Sequence, residues 1–392
     1  MNMPATLLSS VNNKYLLRRI FLLLSITSFS TLATAEKISD AVSEAAAVSG
    51  TWTSVRAMTY PRLSIQAAPL AQNQILVVGG VYQSGITQSM ARHQASSNQW
   101  TNLGPPHSLL RHTVTPLSSI YGNVLIAGGT TENGRLSTSY VYSYADGGWF
   151  TSGAMRFKRD QHTATLLQDG RVLVAGGWGT ATLMNTAELY HPNSSTTAVW
   201  TQTGSMKEAR ITHTATLLSN GKVLVAGGFD HRSYLNTVEL YDPHTSTWTQ
   251  AGTMNTARGD HTATLLSNGK ILVTGGYGNS PRVSNTAELY DPDSDTWTQI
   301  GMMNSHRTQH TATPLPDGRV LVAGGLNNST EVLKTAELYD PSNGLWTSTE
   351  SMHEARLQHA AVLRQDGKVF IVGGLGDVSG ANILATAEVY TP

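Results

Sequence analysis

Two markers keep one beat along this chain. An apolar run ends in a Gly-Gly pair seven times, at Gly79-Gly80, Gly128-Gly129, Gly176-Gly177, Gly227-Gly228, Gly275-Gly276, Gly324-Gly325 and Gly373-Gly374. Seven tryptophans stay in phase with them: Trp52, Trp100, Trp149, Trp200, Trp248, Trp297 and Trp346. Only Trp178 falls off the beat. A unit of about fifty residues repeated seven times does not build one central core. Each unit has to bury its faces against its neighbours, as repeat architectures do.

Within a unit the pattern predicts four short strands. His261–Leu266 reads as the first, and Asn268-Gly269 as a tight turn. Asp169-Gly170, Asn220-Gly221, Asp317-Gly318 and Asp366-Gly367 stand at the same place in other units. Such pairs supply the positive φ that a two-residue hairpin requires. Lys270–Thr274 reads as a strand buried on both faces, ended by the Gly pair. Thr286–Tyr290 is the third strand, Asp291-Pro292 a turn, and the segment around Trp297 the fourth. Four antiparallel strands per unit make a propeller blade.

The Gly-Gly pair, a later Tyr and a Trp beyond it stand as Gly227-Gly228, Tyr241 and Trp248, and again as Gly324-Gly325, Tyr339 and Trp346. In this the chain resembles the kelch-repeat propellers, the wider group that includes galactose-oxidase-like enzymes, in an exported bacterial-type form. The resemblance covers residues 50–392 and implies an all-β fold. The first two units depart most. His93 replaces the Tyr, Gln66 or Ile65 the strand-one His, and Tyr140 the Glu of later units. The chain ends at Pro392 without a Trp after Tyr390, and Trp52 precedes the first Gly pair. Pairing those two ends completes a seventh blade and leaves no open edge. The expected fold is therefore a seven-bladed kelch β-propeller closed by the strand around Trp52.

Residues 1–35 read as a cleaved signal peptide. Lys14, Arg18 and Arg19 precede the short apolar stretch Ile20–Phe29, and Ala33-Thr34-Ala35 supplies small residues for cleavage after Ala35. Residues 36–49 read as a linker. The expected location is the periplasm or the extracellular medium, with no membrane span after cleavage. Net charge is zero, which argues against nucleic acid as a partner. No Cys is present, which excludes disulfides, thiolate metal sites and thiol nucleophiles.

Six units carry an Arg four residues after a Met, giving Arg62, Arg159, Arg210, Arg258, Arg307 and Arg356. The second unit has Pro105 and Leu109 instead. The arginines fall in the connection between blades, on the same face as the loop after the Gly pair. The kelch resemblance implies that this face surrounds the channel mouth and often binds partners. A ring of guanidiniums there suits carboxylates or phosphates. The recurrent Glu188, Glu239, Glu288, Glu337 and Glu388 equally suit pairing with the arginines inside the blades, and the two roles can coexist. His112, His162, His213, His261, His310 and His359 occupy one place in separate blades. They read as core histidines, because metal ligands have to converge on one ion. No metal or other cofactor is expected.

The loops after the Gly pairs differ: WGTATLMN from Trp178, FDHRSYLN from Phe229, YGNSPRVSN from Tyr277 and LNNSTEVLK from Leu326. Trp178, Phe229, Tyr234 and Tyr277, beside Arg232 and the arginine ring, are candidate ligand contacts. The same rings also suit packing onto their own blades. The expected function is a recognition module for a protein, peptide or acidic glycan. The alternative is a carbohydrate-active enzyme. The resemblance implies copper radical oxidases, whose Tyr–Cys cofactor this chain cannot form, or sialic acid mutarotases, which are associated with six blades. Asn193-Ser-Ser and Asn328-Ser-Thr match glycosylation acceptors, a short motif common by chance.

Overall fold

A computed structural model describes residues 50–392 except 84, 87–89, 105–107, 118–121, 193–198 and 280–281. The signal-peptide and linker expectations, Pro105 and the acceptor at Asn193 lie outside the described residues.

The described residues form seven four-stranded antiparallel sheets and two two-stranded ribbons, Val81–Tyr82 with Gly85–Ile86 and Thr130–Thr131 with Gly134–Arg135, with no helix among them. Blade 5 is typical, with strands Thr262–Leu265, Ile271–Thr274, Ala287–Asp291 and Thr296–Ile300. The inner strands of neighbouring blades touch all the way round, and Gln66–Pro69 of blade 1 meets Ala360–Leu363 of blade 7. Blade 7 takes its outer strand from the start of the propeller. Thr51–Val55 pairs antiparallel with Ala387–Thr391, placing Trp52 opposite Tyr390. Their rings lie 5.0 Å apart, as Tyr290 and Trp297 do in blade 5. Closure thus reuses the aromatic pair found inside ordinary blades.

The second strand of every blade is buried on both faces. Its β-branched and leucine side chains fill the space between blades. Between blades 4 and 5, for example, Leu224, Ala226 and Val238 meet Ile271, Val273 and Tyr290. Each such side chain, fully buried, contributes about 1.5–3 kcal/mol. The core is therefore a set of inter-blade layers.

The Gly pairs set the blade spacing. Gly176 and Gly177 have φ of 66° and 97°. A Cβ on Gly176 would come within 2.7 Å of His213 Cε1, and one on Gly177 within 2.6 Å of the Asp160 carbonyl. Both positions exclude side chains, Gly176 because the residues leading into the next blade's first strand lie against it and Gly177 because those leading into its own blade's first strand do.

Ile65 and His93 replace their repeat counterparts in different ways. Ile65 occupies the strand-one His place, pointing at Gly373 as His213 points at Gly176. His93 lies tilted against Trp100 at 4.9 Å, in the place of the Tyr.

Candidate functional site at the channel mouth

The six arginines that the sequence offers as ligand contacts have no exposed surface. Arg258 shows why. Its Nη1 donates to the carbonyls of Gly275 and Thr286 at 2.7 and 3.2 Å. Its Nη2 donates to Thr286 Oγ1 and Glu288 Oε1 at 2.9 and 2.7 Å. Glu288 also accepts from the backbone N–H groups of Asn255 and Thr256. Arg159–Glu188, Arg210–Glu239, Arg307–Glu337 and Arg356–Glu388 repeat the pair. Burial lowers the Arg258 pKa, and the Glu288 charge opposes that. In blade 1, Ala91 stands at the glutamate's place opposite Val77, and burial lowers the Arg62 pKa to about 10. This corrects the arginine-ring reading. The guanidiniums of Arg159, Arg210, Arg258, Arg307 and Arg356 tie the inter-blade connection to the third strand of the blade, and none of the six has surface to present to a ligand at the mouth.

The histidines also face inward. Each of five meets the strand-one Thr of the preceding blade: His162 with Thr113, His213 with Thr163, His261 with Thr214, His310 with Thr262 and His359 with Thr311, at 3.0–3.1 Å. Burial pushes His213 and His359 down to about 3, the nearby arginines adding to the effect. These imidazoles are neutral. Among the described residues, no three His, Asp or Glu side chains gather as a metal site.

On the mouth face the connection and the loop do lie together. The residue after each arginine position bridges the residue after the Gly pair, as in Asp160 with Trp178, Ile211 with Phe229 and Gly259 with Tyr277. Trp178, Phe229, Tyr234 and Tyr277 are all half-buried. Phe229 and Tyr234 lie 5.2 Å apart, and Tyr234 and Tyr277 lie 5.5 Å apart across the blade boundary. Trp178 meets His231 of the next blade edge-on at 4.6 Å. Gly259 makes room for Tyr234, whose ring would be 3.0 Å from any Cβ there. Asn279 clamps the two loops, accepting from the Tyr234 N–H and donating to its carbonyl. The rings therefore pack on one another and remain partly open, forming an aromatic arc over blades 3–5. In blades 1, 2, 6 and 7 the corresponding residues are Val81, Thr130, Leu326 and Leu375. Arg232 is exposed on the blade 4 loop, its N–H donating to Asp230. Asn328 uses its side-chain oxygen to accept from the Val283 N–H, linking blades 5 and 6.

Sequence reasoning missed a collar just inside this arc. Ser64, Arg111, Gln161, Thr212, Asp260, Gln309 and Gln358 precede the seven inner strands with φ between 51° and 57°. All are half-buried. Backbone bonds link five of the seven neighbouring pairs, as from Gln309 to Asp260 and from Ser64 to Gln358 at the closure. Side chains continue the ring: Ser64 Oγ donates to Gln358 Oε1, and Gln358 Nε2 to Gln309 Oε1. The left-handed region costs about 1–2 kcal/mol for a residue with a Cβ. No unit relieves it with Gly. The available signal was variation: the two positions between the repeated Arg and the repeated His change from unit to unit.

Asp160, next to the collar, breaks the repeat as well. It is 1% exposed and lies 3.2 Å from Arg135 Nε of the blade 2 loop. Burial raises its carboxyl pKa, and the charges of Arg135 and Arg111 oppose that.

The profile described as the KLHDC2/KLHL20/DRC7 Kelch-repeats domain matches residues 111–313, and the Kelch motif matches residues 307–353. The chain belongs to the kelch-repeat family. Its curated relatives include two Caenorhabditis elegans proteins, kelch repeat-containing protein kel-10 at 24% identity and kelch repeat and BTB domain-containing protein F47D12.7 at 25%. Each match covers 43% of this chain and 30% of the relative's length. Among solved structures, this kelch propeller is similar to a fungal alcohol oxidase of the AA5 family in complex with copper. The TM-score is 0.73 at 19% identity, over 88% of this chain and 76% of the other. That likeness is one of fold. A Tyr–Cys cofactor does not fit a chain without Cys.

Proposed function

We propose that this kelch propeller is a secreted recognition module that binds a protein or peptide on its mouth face, over blades 3–5. The observation that carries the reading is the aromatic arc. Trp178, Phe229, Tyr234 and Tyr277 lie on adjacent blades, half-open, where the other four blades carry aliphatic residues or Thr. Large rigid rings next to polar side chains are the common anchors of protein interfaces. The family's propellers commonly act as protein-binding scaffolds, which supports the same class. Secretion rests on residues 1–35, and an N-terminus at Glu36 on the exported protein tests it.

Panning a random-peptide phage library on the purified protein tests the binding site. The expected result is enriched peptides whose affinity falls about tenfold or more in Tyr234→Ala and Tyr277→Ala, about 1.4 kcal/mol or more. Lys270→Ala, on the opposite face, leaves affinity unchanged. Failure to enrich any peptide, or binding indifferent to both tyrosines, defeats the reading.

A further inference from the structure

Blades 1 and 2 differ from the rest on the mouth face. Their loops after the Gly pair fold into two-stranded ribbons, which no other blade has among the described residues. The blade 2 ribbon carries Arg135 across the blade boundary to one end of the aromatic arc. There the guanidinium lies over Trp178, 5.4 Å from the ring centre. Its Nε lies 3.2 Å from Asp160 Oδ2, and the buried Asp160 carboxylate also bonds to Gln161. Arg135 is thus held at its backbone by the ribbon, on one face by the indole and at Nε by a carboxylate. Its side chain is still 28% exposed, and Nε is shielded from solvent while the two Nη groups reach it. The six repeated arginines, by contrast, have no exposed surface.

The charges around this outer edge favour an anion. Arg111 also lies near Asp160, so one buried carboxylate faces two guanidiniums. Arg232 is exposed on the blade 4 loop, whose His231 meets Trp178 edge-on at 4.6 Å. Asp230 of that loop is turned onto its own backbone, accepting from the Arg232 and Ser233 N–H groups. Glu132, in the turn of the blade 2 ribbon, lies toward blade 1, where a Cβ on Gly85 would be 3.3 Å from its Oε1.

Resting on the mouth-face reading, we infer that Arg135, stacked on Trp178, receives an acidic side chain, Asp or Glu, of the bound peptide. A carboxylate accepts two parallel N–H bonds from the open Nη edge. The indole and Asp160 fix the guanidinium plane before the ligand arrives, so little side-chain freedom is lost on binding. An ammonium would meet Arg135, Arg111 and Arg232. A neutral amide would forgo the charge that strengthens such bonds. Phe229, Tyr234 and Tyr277, farther along the arc, receive the apolar neighbours of the acidic residue.

The library-selected peptides provide the test, synthesised with amidated C-termini so that only side chains supply carboxylates. The expected result is that they share an Asp or Glu. Changing that residue to Asn or Gln weakens binding to the wild-type protein about tenfold or more. Arg135→Met weakens binding of the acidic peptide comparably, and on that variant the change to Asn or Gln has no further effect. The peptide-side changes on the wild-type protein decide the matter even where Arg135→Met unfolds. Selected peptides without a shared acidic residue overturn the subsite. So does an acid-to-amide change that costs nothing on the wild type, or as much on Arg135→Met as on the wild type. If Tyr234→Ala and Tyr277→Ala abolish binding while Arg135→Met does not weaken it, the mouth-face reading stands and the acidic subsite falls. If no peptide enriches, both fall.

Discussion

The seams between blades 4 and 5 and between blades 1 and 2 hold the same strands together by different means. At the first, His261 meets Thr214 at 3.0 Å, Trp297 Nε1 donates to the Gly252 carbonyl at 2.8 Å, and Arg258 pairs with Glu288. At the second, neither nitrogen of His112 has a hydrogen bond, and Trp149 Nε1 has none. Leu109 stands at the arginine's place and Tyr140 at the glutamate's. What persists is the backbone bond from the second Gly, Gly228 to Arg258 at one seam and Gly80 to Leu109 at the other. The apolar layer also persists, with Leu76, Val78, Leu109, Val124 and Ile126 packed together at the second seam. The second seam thus relies on packing, the backbone bond and two long side-chain bonds, Gln74 Nε2 to Tyr144 Oη and Arg92 Nη1 to Tyr142 Oη at 3.3 and 3.4 Å, without the Arg–Glu pair or the His–Thr contact. The polar side chains fix orientation and add a liability, since each buried charge or imidazole depends on its partner.

Acid should expose that liability with the largest effect. Burial holds the histidines' folded pKa values below 6.5, with His112, His213 and His359 near 3. The folded state keeps them neutral while the unfolded state protonates them. Their contribution is complete above pH 6.5 and falls as pH drops through 6.5 toward 3, by about 2 kcal/mol per imidazole at pH 5. Chemical denaturation at pH 7.5 and pH 5 should show a steep loss. Equal stability at both would mean that protons reach these rings in the folded state.

Glu288→Ala ranks next. It leaves Arg258 buried beside a vacated site, and the expected loss is about 3–5 kcal/mol by denaturation. Adding Arg258→Met makes the position apolar, as Leu109 is in blade 2, and should recover part of the loss. A double variant as unstable as the single would show that the arginine's bonds to Gly275 and Thr286 matter more than its charge pair.

The smallest effects separate the two histidine environments. His261→Leu leaves Thr214 without its ring partner and should lose about 1–2 kcal/mol at pH 7.5. His112→Leu loses no hydrogen bond and should be neutral or stabilising there. Both should flatten the pH dependence by one proton. Equal losses in the two variants would erase the contrast between the seams.

The strand boundaries of blade 5 were legible to within a residue, because Asn268-Gly269, the Gly pair and the apolar run each answer to local backbone demands. Seven blades and the Trp52–Tyr390 closure followed from counting units. The direction taken by a guanidinium was not local information. Repeated Arg and repeated Glu are compatible with a ligand ring and with internal pairing, and only the register of Val273 opposite Glu288 puts the carboxylate within 2.7 Å of Arg258.

The chain's own pattern therefore determined the architecture, since periodicity, turn residues and terminal half-blades are properties of neighbours in sequence. The tertiary structure alone decided which repeated residues turn inward and which changing ones face the channel. It set the collar from Ser64 to Gln358, the arc from Trp178 to Tyr277 and the Arg135–Asp160 pair side by side. Their members come from different blades, which packing of neighbouring blades brings together, and ring closure joins Ser64 to Gln358.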